Sequence, residues 1–430
     1  MIAIEPASET QFDAKALRDI ALAAGADDVG FVSIDNPALD DQRRDILEAF
    51  PFSRTLIAFV IRMSRDNIRS PARSVANLEF DQAADETNDV ARKIAHALEG
   101  RGLRAGYPSM GFPMEAVRWP DKMWVIAHKP VAVAAGLGRM GIHRNVIHPK
   151  FGNFILLGTV AVGLDIETRD RPLDFNPCLE CKLCVAACPT GAIAPDGYFD
   201  FTACYIHNYR EFMGGFADWA ETLADAKSAR TYREKISDAE TVSMWQSLAF
   251  GPNYKAAYCM AVCPAGSDVI GAYQADKRRY LKEIVDPLQR KAETIYVTAG
   301  SDAEDYVARR FPGKSLKRVN STTRPTTIDG FLSSLRLAFQ RGKSAGLNAV
   351  YHFNFTGAQK RAATIVIADR RIRVEQGLVG APSLTVTADA ETWLRFVGKE
   401  TSLASALLRL KIRLRGDPRL FLAFGRCFPA

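Results

Sequence analysis

Four cysteines stand at Cys178, Cys181, Cys184 and Cys188 with Pro189 behind the last, and a later pair, Cys259 and Cys263, is followed by Pro264. The first run has the C-x2-C-x2-C-x3-C-P spacing that wraps an iron–sulfur cubane. Three thiolates one short turn apart reach three corners of one cluster. The fourth, displaced and followed by proline, points away from it. A zinc ribbon needs paired C-x2-C knuckles instead, so iron and sulfide are the expected cargo.

In two-cluster ferredoxins the fourth cysteine of such a run serves the other cluster. That rule pairs Cys178, Cys181 and Cys184 with the distant Cys263. Cys188 then joins Cys204 and Cys259. The position three before Cys259, where one more thiol is expected, is Ala256. Two states stay open for this second cluster: a 3Fe–4S centre, or a 4Fe–4S centre with an open, water-bound or non-cysteine corner. A single cluster with Cys204 as a buried core thiol is the plainer alternative. Cys427, among Phe421, Phe424 and Phe428, reads as a core thiol.

With 430 residues the chain has material for two or three domains. Seven of its 8 cysteines lie in the cluster region, which speaks against a disulfide framework. The longest apolar run, near Phe154 to Leu164, is too short to span a bilayer. The start, Met1 to Pro6, carries no basic or apolar signal core and no twin arginine, so the expected location is the cytoplasm. Net charge is +7 and uneven, with about +12 on residues 301–430. That excess is a solvated surface, or a contact for anionic lipid or a phosphate-bearing ligand.

Along the chain, residues 14–24 read as a helix closed by Gly25, Val29–Ile34 as a strand and Asp40–Phe50 as a helix. Thr55–Ile61 reads as a buried strand and Asp81–Leu98 as a long helix. Alternating helices and apolar strands indicate an α/β layer. Tyr107 to Asp121, rich in Gly, Pro, Met and aromatics, reads as a loop lining a pocket. Gly136, Gly138 and Gly141 mimic a dinucleotide fingerprint, yet residues 142–152 read as loop and strand where that fingerprint requires a helix. These glycines are expected instead to let backbone amides approach a bulky ligand.

Ala135-Gly136-Leu137-Gly138-Arg139-Met140-Gly141-Ile142-His143-Arg144-Asn145, then Pro149-Lys150-Phe151-Gly152, an apolar strand, Arg171-Pro172-Leu173-Asp174-Phe175 and the cysteine run resemble the corrinoid- and iron–sulfur-dependent reductive dehalogenases and epoxyqueuosine reductases. The likeness covers about residues 10–275. It implies that an α/β domain holds cobalamin while two clusters deliver electrons to cobalt. It also implies that Gly136, Gly138, Arg139, Met140, Gly141, His143, Arg144, Asn145, Pro149, Phe151 and Gly152 lie against the corrin or its tail. The chain departs from that pattern at the acidic proton donor of epoxyqueuosine reductases, which is not evident in Asp121–His128, and at Ala256.

Beyond a strand–helix–strand unit, Thr294 to about Val319, residues 320–328 read as a linker. Val350–Gly357, Ala363–Asp369, Arg371–Glu375 and Leu384–Thr387 alternate apolar and polar, which predicts an antiparallel sheet with one covered face. Asp389, Thr401 or Ser402, and Asp417 with Pro418 start three helices over it. This block resembles the sterol-carrier-protein-2 domain, which implies an apolar tunnel for lipids. A core-only α+β domain is the alternative.

The expected fold class is therefore α/β (α+β) and multidomain. Residues 1–170 form the corrinoid-binding-like domain, 171–275 a two-cluster ferredoxin-like module, 276–325 a connecting unit and 326–430 the sterol-carrier-like domain. The expected activity is that of an iron–sulfur, cobalamin-dependent reductase acting on an apolar or lipid-like substrate. A ferredoxin, a flavodoxin or a reductase would supply its electrons. Tyr107, Lys122, His128, His143 and Tyr205 are the candidate proton donors. The alternative is a corrinoid-free electron-transfer protein with a lipid-binding or docking domain. Nucleic acid is not expected as a partner, because the sterol-carrier-like block stands where a tRNA-gripping repeat would.

Overall fold

A computed structural model describes residues 12–120, 122–167, 170–178 and 180–429. The N-terminal stretch through Gln11, Asp121 at the end of the pocket loop and Leu179 in the cysteine run lie outside them. The N-terminal half carries β1 (Asp28–Ser33), β2 (Thr55–Arg62), β3 (Ala105–Gly106), a ribbon of β4 (Arg139–Met140) with β5 (Val146–Ile147), and β6 (Ile155–Val162). β1, β2, β6 and β3 form one sheet in that order, every pairing antiparallel.

β2 explains the layering. Its residues alternate between two cores because successive side chains leave opposite faces of a strand. Leu56, Ala58 and Val60 pack with Ile46, Val131 and Ala134 on one face. Ile57, Phe59 and Ile61 pack with Leu17, Val90 and Ile94 on the other. Helices cover both faces as expected, but hydrogen bonding within the sheet is antiparallel throughout. The long helix runs Arg73–Glu99, starting eight residues before the expected Asp81, because Ala76, Asn77 and Phe80 extend its buried stripe.

The cysteine-bearing segments sit on short helices, Leu183–Ala187, Phe201–Asn208 and Tyr258–Ala261, within one apolar core. That core also takes in β7 (Thr294–Thr298), which pairs parallel with β8 (Ser315–Val319). The 320–328 segment is tied down: Thr322 donates to the Gly214 carbonyl and Arg324 pairs with Glu221.

The C-terminal sheet comprises β9 (Ala349–Thr356), β10 (Arg361–Ala368), β11 (Arg371–Gln376), β12 (Leu384–Asp389) and β13 (Ile412–Gly416), in the order β11-β10-β9-β12-β13. β12 pairs parallel with β9, which corrects the expectation of a purely antiparallel sheet. The reason is the return of residues 377–383 across the outer face, where Val379 donates to Thr364 Oγ1 and accepts from His352 Nε2. β12 therefore enters on the far side of β9 in the same direction. A helix not read from the sequence, Ile328–Ala338, is capped by Thr327 and packs Phe331 and Leu335 onto the covered face.

Candidate functional site

The first thiol set is built by backbone. Asn176 Oδ1 accepts the Cys178 N–H at 3.0 Å, and Glu180 and Lys182 take left-handed conformations with φ 54° and 53°. The turn feeds the helix Leu183–Ala187, whose second residue is Cys184. Cys178, Cys181, Cys184 and Cys263 together line one small cavity, walled also by Ile142, His143 and Ala265. The Ile142 N–H points at Cys178 Sγ from 3.4 Å, a contact that favours a thiolate sulfur.

Cys188, Cys204 and Cys259 form the second set, sharing a core with Ala256. Burial, then the neighbouring thiols Cys181, Cys178 and Cys259, push Cys263 up to about 12, against an opposing Ala265 N–H. Desolvation and Cys188 push Cys259 up to about 12 as well, against Lys129. As bare thiols these groups stay protonated, and a bound metal would supply the charge that holds them as thiolates. Among the described residues no three His, Cys, Asp or Glu side chains converge on a single ion. Four cysteines around one cavity suit a polynuclear cluster, which spreads its ligands over separate corners. The donor set fits iron–sulfur clusters.

The glycine-rich loop touches both sets. His143 lines the first cavity, and its Nε2 lies 3.3 Å from Asn153 Nδ2, which reaches toward the Cys259 carbonyl. Lys129 Nζ donates to the Arg144 carbonyl at 2.8 Å and to Asn145 Oδ1 at 3.0 Å. The residue starts at the surface but its amine reaches inward, where desolvation pushes its pKa down and Cys259 and Cys204 oppose that shift. Sequence reasoning missed Lys129 and Asn153. The one available signal was a lysine opening an otherwise apolar helix, His128–Ala134.

The glycines of this loop meet their own chain closely. A Cβ on Gly136 would stand 2.8 Å from the Arg171 carbonyl oxygen, on Gly138 2.5 Å from that of Ile147, and on Gly141 2.8 Å from the His143 ring. On Gly152 it would run into the Ala265 carbonyl. Close packing of the chain on itself accounts for these glycines without a ligand. Arg139, Met140, Arg144 and Pro149 remain on the outer face, while Phe151 is buried against His148, ring centroids 4.7 Å apart.

The five proton-donor candidates separate. Tyr107 lines a mostly apolar cleft of about 420 Å³ with Phe50, Ser109, Phe112, Met114 and Trp124, as the pocket-loop reading expected. His128 is held at both nitrogens, Nδ1 by Thr159 Oγ1 at 2.8 Å and Nε2 by the Ser109 carbonyl at 3.1 Å. Lys122 is paired with Asp45 at 2.7 Å. Tyr205 stacks between Phe201 and Tyr209, accepts the Gly214 N–H, and is pushed up to about 12 by burial. Burial, aided by Lys129, brings His143 down to about 4, so it is neutral near pH 7. His128, Lys122 and Tyr205 each have a partner within the fold, whereas Tyr107 lines the cleft and His143 the first cavity.

Residues 335–429 match the SCP-2 sterol transfer family. The chain is similar to the epoxyqueuosine reductase of Cellulophaga algicola, 34% identical over 108 residues that cover 23% of this chain and 32% of that protein. It is similar to that of Gloeobacter violaceus, 27% identical over 169 residues, 39% of this chain and 50% of that protein. A catabolic reductive dehalogenase of known structure is 16% identical with a TM-score of 0.39, covering 64% of this chain and 34% of that one. The curated relatives and the family match bear out the resemblances to epoxyqueuosine reductases and to the sterol-carrier-protein-2 domain. The chain spans half or less of the length of the two curated relatives. No helix among the described residues is long and apolar enough to cross a membrane.

Proposed function

We propose that this protein is an iron–sulfur, cobalamin-dependent reductase whose two clusters pass single electrons to the corrinoid for reduction of an apolar or lipid-like substrate. What carries the reading is one relationship. The segment from Lys129 to Asn153 lies against both thiol sets, through Ile142 N–H at Cys178 Sγ and through Lys129 beside Cys204 and Cys259. Clusters ligated by thiolates move one electron each and leave bond chemistry to another group. Bound cobalamin supplies a low-potential cobalt centre able to attack an electrophilic carbon, oxygen or halide.

The residues of this chain do the rest. Arg139, Met140, Arg144 and Pro149 offer the outer face on which a corrin would rest, held flat by the close-packed glycines behind it. The cleft at Phe50, Phe112, Met114 and Trp124 would take an apolar substrate, and Tyr107, which lines it, would give the proton. The SCP-2-type domain supports a lipid-like substrate, and a ferredoxin, flavodoxin or reductase would feed the clusters.

A second reading, a corrinoid-free electron carrier with a lipid-binding or docking domain, is favoured by the glycines, which self-packing already explains. Hydroxocobalamin added to anaerobically reconstituted protein decides between them. Corrin absorbance that travels with the protein through gel filtration, at about one per chain, is the expected result; complete wash-out leaves the second reading. Because the curated relatives are epoxyqueuosine reductases, tRNA is included as a competitor, and tight, salt-sensitive binding of it would redirect the substrate assignment to RNA.

A further inference from the structure

The two thiol turns are copies of one backbone design, and the copy at Ala256 has lost a ligand. In the first, Cys181 is followed by Lys182 at φ 53°, ψ 20°, then by a helix whose second residue is Cys184. In the second, Ala256 is followed by Ala257 at φ 56°, ψ 22°, then by a helix whose second residue is Cys259. Each copy ends four residues later in Cys-Pro, at Cys188-Pro189 and Cys263-Pro264. A non-glycine residue in the left-handed region costs about 1–2 kcal/mol, so the turn persists at Ala257 although the cysteine it presents elsewhere is gone.

The turn is also pinned where a ligand would be needed. Asn208 Oδ1 accepts the Ala256 N–H at 2.9 Å, and the Asn208 carbonyl accepts the Lys255 N–H at 3.1 Å. Asn208 lies one helical turn after Cys204, so the position is clamped to the helix that carries the second set's other thiol. Ala256 is 6% exposed and shares its core with Cys188, Cys204 and Cys259.

We propose that the cluster held by Cys188, Cys204 and Cys259 keeps one iron without a protein ligand at Ala256, and that this iron binds a small exogenous thiolate. The inference rests on the two-cluster reading above and deepens it. The class of ligand follows from the surroundings. Iron in such a cluster prefers a soft sulfur donor. The Lys129 charge, which acts on Cys204 and Cys259, favours an anion there, and the partial exposure of these two thiols leaves the set within reach of solvent. Tyr209, close to the same two thiols and packed against Tyr254 at 5.7 Å, restricts the space to a small molecule. Binding forms one Fe–S bond, releases a water from the iron and gives the thiol proton to solvent, with no change in oxidation state.

The test uses full-length protein reconstituted without oxygen, analysed for iron, reduced with dithionite and titrated with 2-mercaptoethanol at pH 8.5 under EPR. The expected result is about eight irons per chain, with one of two cluster signals shifting saturably in the parent. Ala256→Cys should show the shifted form without added thiol and a loss of response of at least about tenfold. Ala256→Ser, which perturbs packing less, should weaken the response in the same direction. About eight irons with no response in the parent, or an equal response in Ala256→Cys, means that another group of the chain fills the corner and overturns the proposal. About seven irons means that the corner holds no metal and overturns it too. About four irons defeats the two-cluster reading itself, a failure distinguishable from the others by the missing second signal.

Discussion

Arg210 Nη1 stands 2.6 Å from Asp218 Oδ2, with both side chains about one-twentieth exposed. Arg210 also lies over the Tyr296 ring at 5.0 Å, and the other Asp218 oxygen accepts the Asn320 N–H. The pair thus joins the end of the cluster helix, β7 and the segment leading to the C-terminal domain. Removing one partner of a buried pair leaves the other charge desolvated, so Asp218→Ala should cost about 3–5 kcal/mol in urea unfolding. Glu234→Ala, which breaks the solvent-exposed Arg230–Glu234 pair, should change stability by less than about 0.5 kcal/mol. Equal effects would mean that the buried pair is not what holds these segments.

The two thiol sets should fail separately. Cys184→Ser removes a corner of the cavity it shares with Cys178, Cys181 and Cys263. The variant should lose up to about four irons per chain and keep the EPR signal of the other cluster. Cys204→Ser should do the reverse. Loss of both signals from either variant would show that the sets load as one unit.

The thiol spacing was legible because a cluster turn is local: Cys178 to Cys188 specify it without help from the rest of the chain. The strand Thr55–Ile61 was legible for the same reason, although only the structure shows its alternate residues feeding two cores. What the sequence hid is non-local. The parallel entry of β12 depends on Val379 meeting His352 and Thr364. The partner of His128 Nδ1 is Thr159, 31 residues on. Gly152 carries the same letter whether a ligand or the Ala265 carbonyl fills the space beside it.

That last position gives a sharp expectation. Gly152 has φ +66°, and a Cβ there would overlap the Ala265 carbonyl, one residue past the Cys263-Pro264 pair. Left-handed strain of about 1–2 kcal/mol and overpacking of about 1–3 kcal/mol put the cost of Gly152→Ala at about 2–5 kcal/mol. Iron loading of the first cluster should fall with it, since Cys263 has to move. Gly271→Ala, in a helix with open space around it, should be neutral or stabilising by up to about 1 kcal/mol.

Asp81 sets a pH dependence. Burial, with the charge of Asp85, lifts its carboxyl to about 6. An acid that titrates higher in the folded chain than in the unfolded one stabilises the fold while it is protonated. That contribution is complete below about pH 4 and is lost as pH rises through about 6. Asp81→Asn stays neutral throughout. The stability of the parent relative to the variant should therefore fall between pH 4 and 6 and level off above. Because the side chain is only half-buried, screening limits the change to about 1 kcal/mol. Urea midpoints from pH 4 to 7 measure it, and a difference that does not vary with pH refutes it.

The C-terminal core turns on Trp393, 2% exposed and ringed by Phe353, Phe331, Phe396 and Phe355 at centroid distances of 5.3 to 5.9 Å. Its indole Nε1–H is buried without a partner among the described residues. Aromatic area stabilises the core while the unpaired donor opposes it, and the two effects separate by substitution. Trp393→Ala discards the area and should cost about 3–5 kcal/mol. Trp393→Phe keeps most of the ring and removes the orphaned donor, whose burial costs about 1–3 kcal/mol. It should lie within about 1 kcal/mol of the parent, since that relief offsets the smaller volume. A Phe variant as unstable as the Ala variant would show that the indole N–H has a partner in solution, and a polar group or water would then have to reach the middle of this sheet.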